Sequence, residues 1–518
     1  MNRNVVQRIR FRVMVAMVAF AGGGILAGCT TPPPPVVGGN DNGSATDGVP
    51  RWRPAFDAGA LGVLSAVWGS GPADVFVVGG VPDRGEVYHF DGAAWRQMTV
   101  PCVPLLVWVF GFGPDDVYAV GEDGGMVHYD GAAWTGVETG TDEDLWGIWG
   151  SAPDDMWIVG GDVGGGGPVL LHFDGTVFVP FATPENDRQA TSLFKVWGIG
   201  SRTFAVGENG LIIEFDGTAW AQVPAGAAAD DDFVALWGTS EDHVVAVGGR
   251  ATGRLAVFDG TTWTTQVLSA VPGLNAVYMV APDEAIIGGV NGFVGVYDPT
   301  TDTLVAEAAE TQQTIHAAWG DGAGRVYAVG GRFSPPFTGL ALVRSAGDTG
   351  PGTEAPSAPN CTTGADCAAD FACTAGVCVK ADAPQLDLGV TSNGAFESVP
   401  DGAAMPLIAG FQGLSEIRVT VRVTGLVGSP DAGVLVAHTV TLADDGTVLS
   451  ILPAFAPITL LATEDADVFE LRDRQIVLEG APGELDGREA VVSMTLTDAE
   501  SPCVTATVTR TVVLTLPQ

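Results

Sequence analysis

Basic residues are scarce in this 518-residue chain: Lys and Arg total 23 against 61 Asp plus Glu, a formal net charge of -38. A field of that sign repels phosphate backbones and anionic headgroups, because binding either requires clustered cations that release counterions. Nucleic acid is therefore excluded as a partner. Histidine (6) and cysteine (7) are few. The sequence has no Gly-x-Ser-x-Gly, no His-Glu-x-x-His and no phosphate-binding loop, so nothing announces an enzyme. Good helix-forming stretches are also few. What replaces them is 72 Gly, 33 Pro and 13 Trp, a composition of short strands and tight turns that points to an all-β protein. The length suggests about three domains.

No comfortable membrane span is present either. The apolar run at 13–27 is interrupted by Gly22, Gly23 and Gly24, and Arg3, Arg8, Arg10 and Arg12 lie on its N-terminal side. Those are the flanks and the length of an export signal. The run ends in Leu26-Ala27-Gly28-Cys29, which resembles the lipobox of bacterial lipoproteins. The resemblance implies cleavage before Cys29, diacylglyceryl modification of its thiol, and a membrane anchor of two or more acyl chains, which holds where one chain does not. Thr30 after the cysteine implies, by the same resemblance, the outer membrane. Residues 29–48 are rich in Pro, Gly and polar side chains and read as a disordered tether.

Residues 49–345 repeat themselves. Each unit runs apolar-x-x-Val-Trp-Gly, a Pro-Asp turn, a segment such as VFVVGG at 75–80, a Gly-rich loop, apolar-x-aromatic-Asp-Gly, and a large apolar residue four positions after that Asp. The first aromatic recurs as Trp68, Phe110, Trp149, Trp197, Trp237, Tyr278 and Trp319. Seven units of about forty residues match four-stranded blades, and the expectation is a seven-bladed β-propeller. Within a unit the apolar residues are read at a period of two. Asp91-Gly92, Asp130-Gly131, Asp174-Gly175, Asp216-Gly217 and Asp259-Gly260 read as hairpin turns, with Asp298-Pro299 as a variant. Trp95, Trp134, Phe178, Trp220 and Trp263 are placed on outer strands against neighbouring blades. The seventh unit has no terminal Asp-Gly or Trp, whereas Asp47-Gly48 and Trp52 stand before the first unit. The segment around 51–55 is therefore expected to supply the last blade's outer strand and cover its edge.

The unit resembles secreted bacterial propeller repeats of the VWGSGPDDVYAVG…ILHYDGxxW kind, similar in look to Asp-box and photosystem-assembly-factor propellers. The resemblance implies the fold and says little of activity. It departs from a true Asp-box in that Gly directly follows Asp.

His89, His128 and His172 share one strand position in three consecutive units and read as a structural repeat position, with a metal site as the lesser alternative. Arg84, Arg96, Arg188, Arg202, Arg250, Arg254, Arg325 and Arg332 are scattered, not clustered to grip a carboxylate. The loops between second and third strands and the blade connections share one face. That face gathers Glu122, Asp123, Asp142, Glu143, Asp144, Asp162, Asp230, Asp231 and Asp232, with Glu185, Asp187 and Glu208 beside them. This acidic rim is a candidate contact for a partner or for Ca²⁺, or a solvated surface.

Residues 346–383 form a linker holding Cys361, Cys367, Cys373 and Cys378, and the stretch resembles short Dickkopf-like cysteine-rich segments of bacterial surface lipoproteins. In an oxidising compartment two disulfides are expected, with pairing unspecified by spacing and a zinc knuckle as alternative. Cys102 and Cys503 either pair or remain free. From 384 to 518 the pattern becomes longer alternating strands. Ile417, Val419, Val421 and Val423 are read on one face, with Arg418, Thr420, Arg422 and Thr424 on the other, which suggests an immunoglobulin-like β-sandwich. The expected function is non-enzymatic: a lipid-anchored binding or scaffold protein of the outer membrane or cell surface, with an unidentified protein or glycan partner. The alternatives are an outer-membrane assembly factor and a glycan-active hydrolase or lyase.

Overall fold

The computed structural model describes residues 49–518 apart from 83, 227–230, 335–336, 347–355, 357–370, 375–376, 381–384, 393–394, 410–413, 425–433, 445, 451–459, 464–467, 499–504 and 517–518. Chain contacts divide it into two compact units, Met1–Asn360 and Cys361–Gln518.

In the first unit, the described residues of 51–345 form seven four-stranded antiparallel sheets. Six take their strands consecutively, at 63–98, 106–136, 145–180, 193–222, 233–272 and 274–307. The seventh combines Thr314–Gly320, Val326–Arg332 and Thr338–Ser345 with the first strand of the chain, Arg51–Pro54. We number these blades 1 to 7. The first strand of each packs on that of the next, and blade 7 packs on blade 1, which closes a β-propeller.

The closing strand pairs Arg51 with Ser345, Trp52 with Arg344 and Arg53 with Val343. Trp52 is buried among Ala276, Ile286 and Val294 of blade 6, and its Nε1 donates to Glu307 at 2.7 Å. Arg344 grips the same Glu307 through its Nη2 (2.8 Å) and Nε (3.0 Å). Phe56 continues on to blade 1, with its ring centroid 4.6 Å from that of Trp95. The start of the chain thus ties blades 6, 7 and 1 together, and removes the open edge that a three-stranded blade would present.

The period-two reading of the second strands gives way to a different pattern. Val75, Phe76, Val77 and Val78 are all buried, at 0–1% exposure. A blade's middle strands lie between two neighbouring blades, so both faces are apolar. The outer aromatics sit where expected. Trp95 packs edge-on to Tyr327 of blade 7, Trp134 to Phe76 of blade 1, Trp220 to Trp157 of blade 3 and Trp263 to Phe204 of blade 4.

The Trp-Gly dipeptide has a geometric cause. A β-carbon at Gly69 would lie 2.8 Å from the Trp319 ring, at Gly111 2.6 Å from Trp68, at Gly198 2.6 Å from Trp149, and at Gly238 2.6 Å from Trp197. Each of these glycines makes room for the aromatic ring of the preceding blade, as Gly320 does for Tyr278; the series is interrupted at Gly150, which meets Phe112, and at Met279.

In the second unit, one sheet has strand order Ala395–Ser398, Gln385–Ser392, Ser415–Thr424, Val468–Leu478, Leu461–Ala462, with Ile408–Ala409 on Ser415–Thr424. The other is Ala403–Pro406, Thr505–Thr515, Glu489–Asp498, Val434–Leu442, with its first pair parallel. Residues of both sheets share one core, which includes Ile417, Val419, Val421 and Val423. Thr420 lies on the face opposite that core, as expected, but is not exposed there. It is fully buried at a bulge, where its hydroxyl meets Thr391 at 2.7 Å and accepts the Asp473 N–H at 3.1 Å. Glu470, also buried, is held by Arg422 (2.8 Å) and Arg472 (2.6 Å).

Candidate functional site

The repeated aspartates at the hairpins are turn formers. Asp91 Oδ1 accepts the N–H groups of Ala93 and Ala94, both at 2.9 Å, and Asp130, Asp174, Asp216 and Asp259 do the same in their blades. The following glycines have φ of +87 to +90°, the left-handed region that a β-carbon disfavours. The backbone N–H bonds at Ala94 and Ala93 hold the Asp91 carboxyl below its usual range.

The three aligned histidines lie on three separate blades. His89 Nε2 meets Asp74 at 2.7 Å, His128 meets Asp116 at 2.8 Å and His172 meets Asp155 at 2.7 Å. Each ring also packs on the aromatic opposite it: Phe76 at 4.3 Å, Tyr118 at 4.1 Å and Trp157 at 4.4 Å. They staple second strands to third strands. Blade 4 places the same link with reversed charge, Arg202 to Glu214 at 2.6 Å.

The acidic rim also turns out to be engaged with the backbone. Asp144 accepts the Asp123 N–H at 3.0 Å, and Asp162 accepts the Asp144 N–H at 3.2 Å. Asp231 accepts the Arg250 N–H at 3.1 Å. Asp232 is buried; it accepts the Asn209 N–H at 2.9 Å and the Arg250 Nε–H at 2.8 Å. Glu208 gathers the Thr191 N–H and hydroxyl and the Ser192 N–H. Asp144 and Asp232 tie the loop of one blade to the connection entering the next, and Asp162, Asp231 and Glu208 tie a blade's loop to the connection entering that same blade. Asp123 and Asp142 are exposed, while Glu122, Glu143, Asp144, Asp162 and Asp231 are half-buried. Among the described residues no three acidic, histidine or cysteine side chains gather as a metal site would require.

Several expected residues fall outside the described ones: Cys29, Asp230, Cys361, Cys367 and Cys503. Cys373 and Cys378 stand directly opposite each other in the hairpin of Phe371–Thr374 and Val377–Lys380. Cys102 is disulfide-bonded.

A site that the sequence reading missed lies on the axis. Each innermost strand carries a bulge three residues before its aromatic, marked by a register shift in every blade. The seven residues there are Ser65, Val107, Trp146, Phe194, Val234, Asn275 and His316. Phe333, from the blade 7 loop, packs on His316 (4.5 Å between centroids) and also on the cluster of Val63, Leu105 and Val107 from blades 1 and 2, against which Trp146 of blade 3 packs as well. Side chains of four blades thus meet near the axis. Trp146 in turn contacts Phe194 of blade 4 at 6.0 Å.

Beside these rings lies Lys195, one of two lysines in the sequence. Its Nζ sits 3.1 Å from the Trp108 ring centroid and donates to the Trp146 carbonyl at 3.1 Å. Burial without a carboxylate partner pushes the amine well below its usual range. Burial likewise holds the His316 imidazole down at about 4, against the opposing pull of its bond to Gly331. Ser65 Oγ, Asn275 Nδ2 and His316 Nδ1 are buried and have no hydrogen-bond partner. Aligning the seven units would have exposed this column, because its residues share no chemistry while the aromatic three positions later varies little.

Fold and site together define a β-propeller with a ring of bulged residues on its innermost strands. No known protein family matches the chain, and no curated protein does. Among solved structures it is similar to YCF48 bound to a D1 peptide (13% identity, 57% of this chain and 96% of that one, TM-score 0.44). It is also similar to the WD40 β-propeller domain of Doa1 (9%, 57% and 96%, TM-score 0.45) and to YCF48 from Cyanidioschyzon merolae (11%, 57% and 98%, TM-score 0.43). Likenesses this distant carry nothing about a ligand.

Proposed function

We propose that this protein is a non-enzymatic, lipid-anchored binding protein of the bacterial outer membrane or cell surface, and that it presents the axial mouth of its propeller to a partner. The supporting observation is the set of three buried, unpaired polar atoms on Ser65, Asn275 and His316. Each such group costs about 1–3 kcal/mol when left without a partner. A ligand's own polar groups offset that cost, and concave sites with a few convergent polar groups are where ligands bind. The anchor rests on Leu26-Ala27-Gly28-Cys29, and Cys29→Ser is expected to abolish lipid labelling and release the chain from membranes.

Photo-crosslinking in living cells tests the binding role. A photoreactive residue at exposed Asn209, on the face of the mouth, is expected to capture a partner, and one at exposed Thr218, in an Asp-Gly hairpin, is not. Equal capture from both positions, or none from either, would refute the reading. Protease treatment of intact cells adds the location: cleavage supports surface display, and protection favours a periplasmic assembly role.

A further inference from the structure

Given the binding role, the chemistry of the mouth narrows what it takes. Asn275, His316 and Ser65 belong to blades 6, 7 and 1, which are consecutive around the closed ring. Their polar atoms therefore form one arc. The rest of the ring, Val107, Trp146, Phe194 and Val234, is an apolar and aromatic arc.

The hydrogen-bonding roles within the polar arc are fixed. His316 Nε2 lies 3.1 Å from the Gly331 carbonyl and must carry the proton to donate there, so Nδ1 presents a lone pair. Asn275 Nδ2 offers N–H donors, and the Ser65 hydroxyl both donates and accepts. A ligand that satisfies an acceptor, a donor and a hydroxyl at adjacent positions must offer both donors and acceptors within a short span. Hydroxyl groups do this. An anionic ligand fits poorly: Lys195 is already engaged with Trp146 and Trp108, and the rim carboxylates outside repel anions. The faces of Trp146 and Phe194 suit the C–H face of a flat, hydroxylated ring.

We propose that the axial mouth binds one ring of a neutral saccharide, with its hydroxyls on Ser65, Asn275 and His316, one face against the aromatic arc, and Phe333 occupying the space until it is displaced. Nothing covalent is involved.

Saturation-transfer NMR on the full chain in detergent, with D-glucose, D-galactose, N-acetyl-D-glucosamine, maltose and cellobiose as probes, tests this. At least one neutral sugar is expected to bind. The Ser65→Ala/Asn275→Ala double variant should weaken it by about tenfold or more with an unchanged unfolding temperature. Phe333→Ala, which vacates the space, should tighten it. No binding by either the native chain or Phe333→Ala would overturn the proposal, as would binding that the double variant leaves intact or D-glucuronate binding as tightly as D-glucose. A partner crosslinked at Asn209 together with failure of every sugar would sink the saccharide and leave the binding role standing.

Discussion

Two rings of side chains circle the same axis, three residues apart on the same seven strands. One is nearly invariant: Trp68, Phe110, Trp149, Trp197, Trp237, Tyr278 and Trp319, most of them set against a glycine of the next blade. The other holds Ser, Val, Trp, Phe, Val, Asn and His. The first ring is dictated by contact, since each member must fit its neighbour and the circle must close. The second meets no such demand, because the bulge takes its residues out of the ladder. Repetition marks where the fold is built, and its failure marks where blades are free to differ.

The contrast breaks first, and hardest, at the uniform ring. Trp197→Ala removes a buried ring that spans blades 4 and 5, and should lower unfolding stability by about 3–5 kcal/mol in denaturant titration. A loss below 1 kcal/mol would show that the circle is not a cooperative unit.

Acid should act on the variable ring instead. His316 titrates near 4 when folded and near 6.5 when unfolded. Between those values the unfolded chain binds the extra proton. Its contribution is therefore intact above about pH 6.5, and falls away by roughly 3 kcal/mol as pH drops toward 4. His316→Gln should flatten that slope in pH-dependent melts, and an unchanged slope would refute the assignment.

Gly238→Val forces a branched side chain into the Trp197 ring and should cost about 1–3 kcal/mol, measured as an earlier denaturant midpoint with the m-value unchanged. The smallest effect sharpens the contrast most. Ser65→Ala deletes an unpaired buried hydroxyl, and is expected to leave stability unchanged or raise it by about 1 kcal/mol. A clear loss would mean that this hydroxyl has a structural partner after all.

The features written into local pattern were legible in the sequence. The spacing of the aromatics, the Asp-Gly hairpins, the outer tryptophans and the strand around Trp52 each follow from short-range chemistry repeated often enough to stand out. The bulge was not legible, because one extra residue in a run such as LSAVWG at 64–69 leaves the apolar string looking unbroken. The same limit hid Thr420, whose burial follows from an irregularity on the partner strand at Asp473. The rim was read from loop position and charge, and neither says that Asp144 and Asp232 spend their oxygens on backbone N–H groups. Phe333 belongs to a loop, and no local rule says that a loop side chain will reach across an axis. The histidines were legible as a repeated position, and their Asp74, Asp116 and Asp155 partners became visible only in the register of paired strands.

The pairing of Arg51 with Ser345 also sets a timetable for biogenesis. A ribosome or export channel releases the beginning of the chain long before its mate, so this strand emerges early and has nothing to zip onto until the whole circular body has been delivered. Through that interval its sticky margin is open to neighbours, and non-local pairing of this kind is slow.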